Sequence, residues 1–220
     1  HNNLLEKINN LQRDMPLTNF MDTKDPYFPI VCHLSASLNA ADPDVVSAED
    51  YQASICDGPD YPIPKGFGNL VREWGKYISV SLNTKVKQIN MEKPLVKIKT
   101  SKGTLYSKKV IITVSTGILS GRDIEFIPSL PKETQNAIDN LPMGTLNKIG
   151  ISFKQRFFSQ NEQGWYISWA DHDKISEQEI GSFQVTTSGP QNVTLFAGGR
   201  FGKWLEERGP KVMYDYAVAT

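Results

Sequence analysis

Apolar and polar positions follow two different rhythms along this chain. A helical rhythm comes first. Leu4, Ile8, Leu11 and Met15 recur at steps of three and four, which puts them on one face of a helix that Pro16 closes. Between residues 22 and 66 the periodicity fades. Pro, Asp, Ser and Ala dominate there, with breakers at Asp57-Gly58-Pro59-Asp60, Pro62 and Pro64, so short helices and loops are expected. Leu70, Trp74, Tyr77 and Ile78 restore helical spacing after a glycine-rich lead-in. A two-residue rhythm then takes over. Val86 to Ile89 predicts a short strand. Val96, Ile98 and Thr100 alternate with lysines, Ser101-Lys102-Gly103 supplies a turn, and Thr104 starts the return strand of a hairpin. That return is expected to end in Val110-Ile111-Ile112-Thr113-Val114, a β-branched run of the kind found in strands buried on both faces.

Further on, Pro131 predicts a helix start, with Leu130, Thr134, Ala137, Ile138 and Leu141 on one face and Pro142-Met143-Gly144 as its end. Leu146 to Phe153 reads as a strand. Ile149, Ile151 and Phe153 point one way, and Leu146, Lys148, Gly150 and Ser152 the other. More strands are expected at 165–169, 180–186 and 193–197, with helices near 202–208 and from 210 onward. Strands interleaved with helices predict an α+β (mixed α/β) fold.

Composition narrows the function classes. The chain has 220 residues, 39% hydrophobic and 22% charged, which permits a real core and excludes a disordered chain. Lys+Arg and Asp+Glu both number 24. The basic excess of a general nucleic-acid or acidic-lipid binder is missing, and no nucleic-acid partner is expected. No apolar run approaches the ~20 residues of a membrane helix. Cys32 and Cys56 with three scattered histidines (His1, His33 and His172) do not make a structural zinc site, so no metal is expected. The two cysteines read as unbridged thiols more simply than as a disulfide. The first residue is His, and Ala217-Val218-Ala219-Thr220 stops inside a helical pattern, so a piece of a longer protein is expected.

Individual signals are weaker. Gly66-Phe67-Gly68-Asn69-Leu70-Val71 partly matches G-x-G-x-x-G but lacks the third glycine and a preceding strand; it reads as a flexible lead-in to a helix. Lysines at 85, 87, 93, 97, 99, 102, 108 and 109 gather on the hairpin with only Tyr106 among them, which reads as a solvated strand face. Asn192-Val193-Thr194 is a sequon without supporting context. A strand lysine such as Lys148 usually snorkels to solvent. Beside it, however, Gly150 and Ser152 leave room for a ligand or a water, and a lysine in a partly dry site can manage protons or charge. Trp165, Ile167 and Trp169 alternate on one strand face, which suits core packing or a cavity wall.

Several segments occur in a telling order: Ile63-Pro64-Lys65-Gly66-Phe67-Gly68-Asn69-Leu70, Leu82-Asn83-Thr84-Lys85-Val86-Lys87-Gln88-Ile89, Gly103 to Tyr106 with Val110 to Leu119, Ile124 to Pro131, and Met143-Gly144-Thr145-Leu146-Asn147-Lys148-Ile149. Together they resemble the flavin-containing amine oxidase family, which includes monoamine oxidases, polyamine oxidases and flavin-type lysine demethylases. The match is clearest over 63–158, looser over 159–216 and only positional over 1–60.

The resemblance implies a fragment covering the substrate domain and part of the FAD domain. Residues 1–80 would be the helical and loop part of a substrate domain with a mixed sheet. Residues 81–119 would be a hairpin of the FAD-binding domain, and 120–220 the substrate-domain sheet and helices. The backbone of Val86 would meet the adenine end of FAD. Lys148 would be the catalytic and cofactor-contacting lysine, near flavin N5 through a bound water. The substrate would be a small-molecule amine, oxidised to an imine, with oxygen reoxidising FAD and yielding hydrogen peroxide.

The family's N-terminal GxGxxG unit and C-terminal flavin cap are not in this sequence. They are expected as the missing partners from the same chain, and this piece alone is not expected to retain FAD. Phe196-Ala197-Gly198-Gly199-Arg200 is similar to the terminal flavin motif but comes too early, and reads as a substrate-domain strand and turn. Ser115 stands where the family commonly has proline. A desaturase or porphyrinogen oxidase-like flavoprotein, or a non-catalytic interaction domain on the same scaffold, remain as alternatives.

Overall fold

The computed structural model describes residues 7–8, 12–54, 58, 61, 63, 65–155, 157–169, 180–186 and 192–220. Along the chain these form a 3-10 turn (Leu17–Phe20), α1 (Phe28–Asn39), α2 (Ala48–Ala53), α3 (Phe67–Gly75), β1 (Val86–Asn90), β2 (Val96–Thr100), β3 (Gly103–Ser107), α4 (Thr116–Ser120), β4 (Glu125–Ile127), α5 (Lys132–Asp139) and β5 (Leu146–Ser152). A short 3-10 turn (Gln160–Glu162), β6 (Gly164–Trp169), β7 (Ile180–Thr186), β8 (Asn192–Gly198), α6 (Gly199–Arg208) and α7 (Pro210–Ala219) follow. The fold is α+β, as the interleaved rhythms predict. The opening helix, Cys56, His1 and His172 fall mostly or wholly outside the described residues.

The chain divides into two compact units, His1–Pro64 with Gly144–Thr220, and Lys65–Met143. In the first, β5-β8-β7-β6 form an antiparallel sheet. Its core lies on one face, where Val185, Val193, Leu195 and Ala197 pack against Phe201 and Leu205 of α6 and Tyr216 and Ala217 of α7. Each large apolar side chain buried this way contributes roughly 1.5–3 kcal/mol. The Tyr216 hydroxyl donates to the Ile180 carbonyl at 2.7 Å, and burial pushes its pKa up. Pro210, in the first turn of α7, follows Gly209, whose φ of 84° suits glycine.

Helix α1 covers part of the opposite face. It lies in the stretch where the sequence predicts only short helices and loops. Its buried side is His33, Ala36 and Ser37 beside Ile30, too small and polar to register as an apolar stripe. Those small residues let the helix come close: the Ser37 hydroxyl donates to the Phe196 carbonyl of β8 at 3.5 Å. Beyond α1, Asp42 is buried and accepts from the Arg200 backbone N–H at 2.8 Å, placing a carboxylate at the N-terminus of α6. Arg200 in turn donates to Asp44 at 3.0 Å.

His33 is 3% exposed, and its Nε2 has no hydrogen-bond partner among the described residues. Burial pushes its pKa down to about 4. The unfolded chain takes up this proton below about pH 6.5, whereas the folded chain stays neutral until about pH 4. Stability from this group is therefore complete above pH 6.5 and falls as pH drops through the 6.5–4 window, by up to about 1.4 kcal/mol per pH unit. Denaturant titrations at pH 7 and pH 4.5 should show His33→Leu losing less stability across that interval than the parent; parallel losses would remove His33 as a source of acid sensitivity.

In the second unit the sheet order is β3-β2-β1-β4, with β4 running parallel to β1 and the other pairs antiparallel. Ile89 and Ile98 are buried neighbours across β1 and β2. The hairpin turns at Gly103, whose φ is 136°. Lys85 pairs with Asp123 at 3.6 Å, and Lys102 donates to the Leu82 carbonyl at 2.9 Å. Gly66, at φ 82°, precedes α3 directly, and no strand leads into it among the described residues. Ser115 caps α4 by accepting from the Ile118 N–H at 3.4 Å, a task proline has no side-chain oxygen for.

One sequence expectation fails here. The run Val110 to Val114 is not a strand, and Ile111 is 89% exposed. β-Branching favours an extended backbone, but a strand also needs a ladder partner. The sheet's edge strands are β3 and β4, and among the described residues neither pairs with this run.

Candidate active site

Register in the β5–β8 sheet decides which side chains meet. Lys148 on β5 lies opposite Phe196 on β8, Phe196 opposite Ser182 on β7, and Ser182 opposite Ile167 on β6. The next row holds Gly150, Thr194, Gln184 and Trp165. Directly paired residues share a face. This is the face away from α6 and α7.

The Lys148 ammonium sits 5.2 Å from the centre of the Phe196 ring. Among the described residues it makes no ion pair or hydrogen bond, so its charge is directed by an aromatic face alone. The Phe196 ring also meets the Trp165 ring at 4.5 Å between centroids. Trp165 and Phe196 are two strands apart, so that contact passes above β7. Ser182 lies beneath it, 1% exposed, its hydroxyl without a partner among the described residues. A serine there is small enough for the rings to close over it.

A methyl group at Gly150 would meet no atom within 4 Å, leaving open space two residues from Lys148. Trp165, Ile167 and Trp169 are 49%, 40% and 45% exposed, which is not the burial of a packed core. Lys148, Phe196 and Trp165 thus form a continuous surface with an ammonium at one end. Phe196 is the residue that sequence reasoning missed as part of this group. It falls inside the Phe196–Arg200 motif, but only the β5–β8 register brings it to Lys148. That motif closes β8 and opens α6.

Val86 belongs to the other unit. It pairs with Thr100 of β2, while β4 joins β1 only from Gln88 onward, so one backbone edge at Val86 has no strand neighbour among the described residues. The apolar cleft of about 400 Å³ lined by Leu17, Phe20, Phe28, Val31, Leu38 and Tyr51 contains none of the Lys148 face. Among the described residues no group of three metal-ligating side chains converges. No helix of the described residues is long and apolar enough to cross a membrane.

The residues present fit a flavin. A cation without an acidic partner among the described residues suits a ring edge that becomes electron-rich on reduction, and the open space at Gly150 leaves it accessible.

Comparison with known proteins adds an independent observation. The model of the family described as flavin-containing amine oxidoreductase matches residues 26–215. The chain is 32% identical over 193 residues to polyamine oxidase 4 of Oryza sativa subsp. japonica, covering 86% of this chain and 38% of that protein. It is 29% identical over 190 residues to polyamine oxidase 2 of Arabidopsis thaliana, again 86% and 38%. To human lysine-specific histone demethylase 2 it is 30% identical over 121 residues, 54% of this chain and 14% of that protein. A solved structure of a putrescine oxidase double mutant, redesigned in cofactor binding, shares the fold with a TM-score of 0.67 at 12% identity, over 92% of this chain and 47% of that one. The chain therefore spans well under half the length of the polyamine oxidases it matches. With most of its length covered by the family model, it belongs to the flavin-containing amine oxidoreductase family.

Proposed function

We propose that the protein of which this chain is a part oxidises an amine, using FAD as cofactor, and that Lys148 is its catalytic lysine. The observation that carries the reading is the Lys148 ammonium, without an acidic partner among the described residues and seated over the buried Phe196 ring, in a chain of this family. When bound, FAD supplies the acceptor for the hydride leaving the carbon next to nitrogen, and oxygen carries those electrons on to hydrogen peroxide.

The chain's own residues do the rest. Lys148 holds a water at Nζ and stabilises negative charge developing near it. Phe196 and Trp165 give an apolar surface on which a neutral amine is favoured over an ammonium at the reacting end. The backbone edge at Val86 is assigned to the adenine end of FAD. Residues 1–80 and 120–220 are read as the substrate domain, and 81–119 as the hairpin of the FAD domain. The remaining parts of the same chain are taken to complete both.

The polyamine oxidases among the relatives make di- and polyamines the first substrates to try. Mixing the full-length protein anaerobically with these amines should bleach the flavin absorbance, and admitting oxygen should release peroxide. A flavin that no primary, secondary or polyamine reduces would end the reading.

A further inference from the structure

We infer that Asn147 is a positioning residue for Lys148: its side-chain amide, bonded to the first turn of α6, fixes the strand that carries the lysine. This rests on the reading of Lys148 as the catalytic lysine and adds to it the residue that holds that lysine in place.

Strand order creates the need for such a residue. β5 is an edge strand, laddered to β8 on one side and to no strand on the other among the described residues. Lys148 makes no ion pair or hydrogen bond of its own among the described residues. Its Nζ is therefore placed by the backbone of β5 and by the Phe196 ring, 5.2 Å away. A group that handles charge beside reacting atoms loses rate steeply when it is misplaced by about 1 Å.

Three bonds outside the ladder hold the start of β5. The Thr145 N–H donates to the Ala40 carbonyl at 2.8 Å, and the Thr145 carbonyl accepts from the Gly199 N–H at 3.0 Å. Both join backbone to backbone. The third comes from a side chain: the Asn147 Nδ2 amide donates to the Gly202 carbonyl at 2.8 Å. Asn147 directly precedes Lys148, so alternation sends its side chain to the opposite face of the sheet, where α6 packs. Across the ladder it faces Ala197, the neighbour of Phe196. The bond thus ties β5, β8 and α6 together at the level where Lys148 meets Phe196. The helix comes close enough for so short a side chain because residue 202 is glycine; a Cβ there would stand 2.4 Å from the Ala197 carbonyl oxygen. The Gly202 carbonyl also lies within α6, with the backbone N–H four residues on as its helical donor. Losing the Asn147 amide therefore does not strand that carbonyl, and β5 is loosened while α6 stays folded.

The test is a double-mutant cycle in full-length holoenzyme, with the parent, Asn147→Leu, Lys148→Met and the double variant, and with Asn147→Ala as the substitute if leucine disturbs folding. Stopped flow follows flavin reduction by spermine and, after reduction with dithionite, reoxidation by oxygen. Whichever step Lys148→Met slows should slow about tenfold in Asn147→Leu on the parent background, with the KM for spermine near the parent value, and less than about twofold on the Lys148→Met background. Thermal melting and flavin content establish that each variant is folded. A parent-like rate in Asn147→Leu, or an equal loss on both backgrounds, overturns the inference and leaves the catalytic role of Lys148 standing. Parent-like kinetics in Lys148→Met, or a flavin that no amine reduces, remove both.

Discussion

Lys148→Met in the full-length protein is expected to slow amine turnover or flavin reoxidation about 100-fold, near the low end of what one positioned proton- or charge-handling group contributes. Methionine keeps the length of the side chain and its contact with Phe196 while removing the charge, so packing is preserved. Lys148 makes no ion pair among the described residues, so its removal strands no buried acid, and melting temperature and FAD content should stay near the parent values. Stopped-flow traces of anaerobic flavin reduction and of reoxidation by oxygen separate the two steps. Lys148→Arg should recover part of the lost rate if charge is what matters. Parent-like kinetics in Lys148→Met would take Lys148 out of the active site.

Gly198→Ala should be the most destabilising single methyl addition in the first unit. The new carbon would fall inside the Ala36 carbonyl group and 2.9 Å from the Ser37 nitrogen, all of it backbone of α1. No side chain can turn aside, so α1 has to lift off β8, breaking the Ser37 to Phe196 hydrogen bond. A cost of about 3 kcal/mol is expected, at the upper end for overpacking. For a protein of this size that lowers Tm by roughly 6–12 °C. Gly150→Ala, two residues past Lys148 on β5, meets nothing within 4 Å and is the matched control. Equal melting temperatures for the two variants would show that α1 does not press on the sheet in the way described.

These two glycines mark the difference between what sequence patterns give and what they withhold. Both lie on the same sheet face, in strands readable from a two-residue alternation, yet one is crowded and the other open. Nothing local distinguishes them. The crowding comes from α1, whose sheet-facing residues are small and polar and carry no apolar period. The same limit explains Val110 to Val114. Its composition predicted a buried strand, but burial depends on a neighbour that β-propensity cannot specify.

The candidate site was half legible. Lys148 stood out because an isolated strand lysine beside Gly150 and Ser152 is unusual, and because the surrounding motif resembled a known family. Its placement in β5, on the face away from the core, followed from alternation alone. Phe196 and Ser182 did not stand out. Their part depends on β8 lying between β5 and β7, an order that chain sequence does not impose.

By itself, then, the sequence determined most of the local elements, though not α1 or the state of Val110 to Val114, together with the two faces of the strands and the family, because those depend on periods of two and 3.6 residues and on short motifs. The tertiary structure alone decided that an ammonium, a phenyl ring and an indole come together, and that Gly198 on the same sheet face lies under a helix. Those facts depend on strand order and register between segments remote in the chain, where a slip of one residue would turn every side chain to the opposite face.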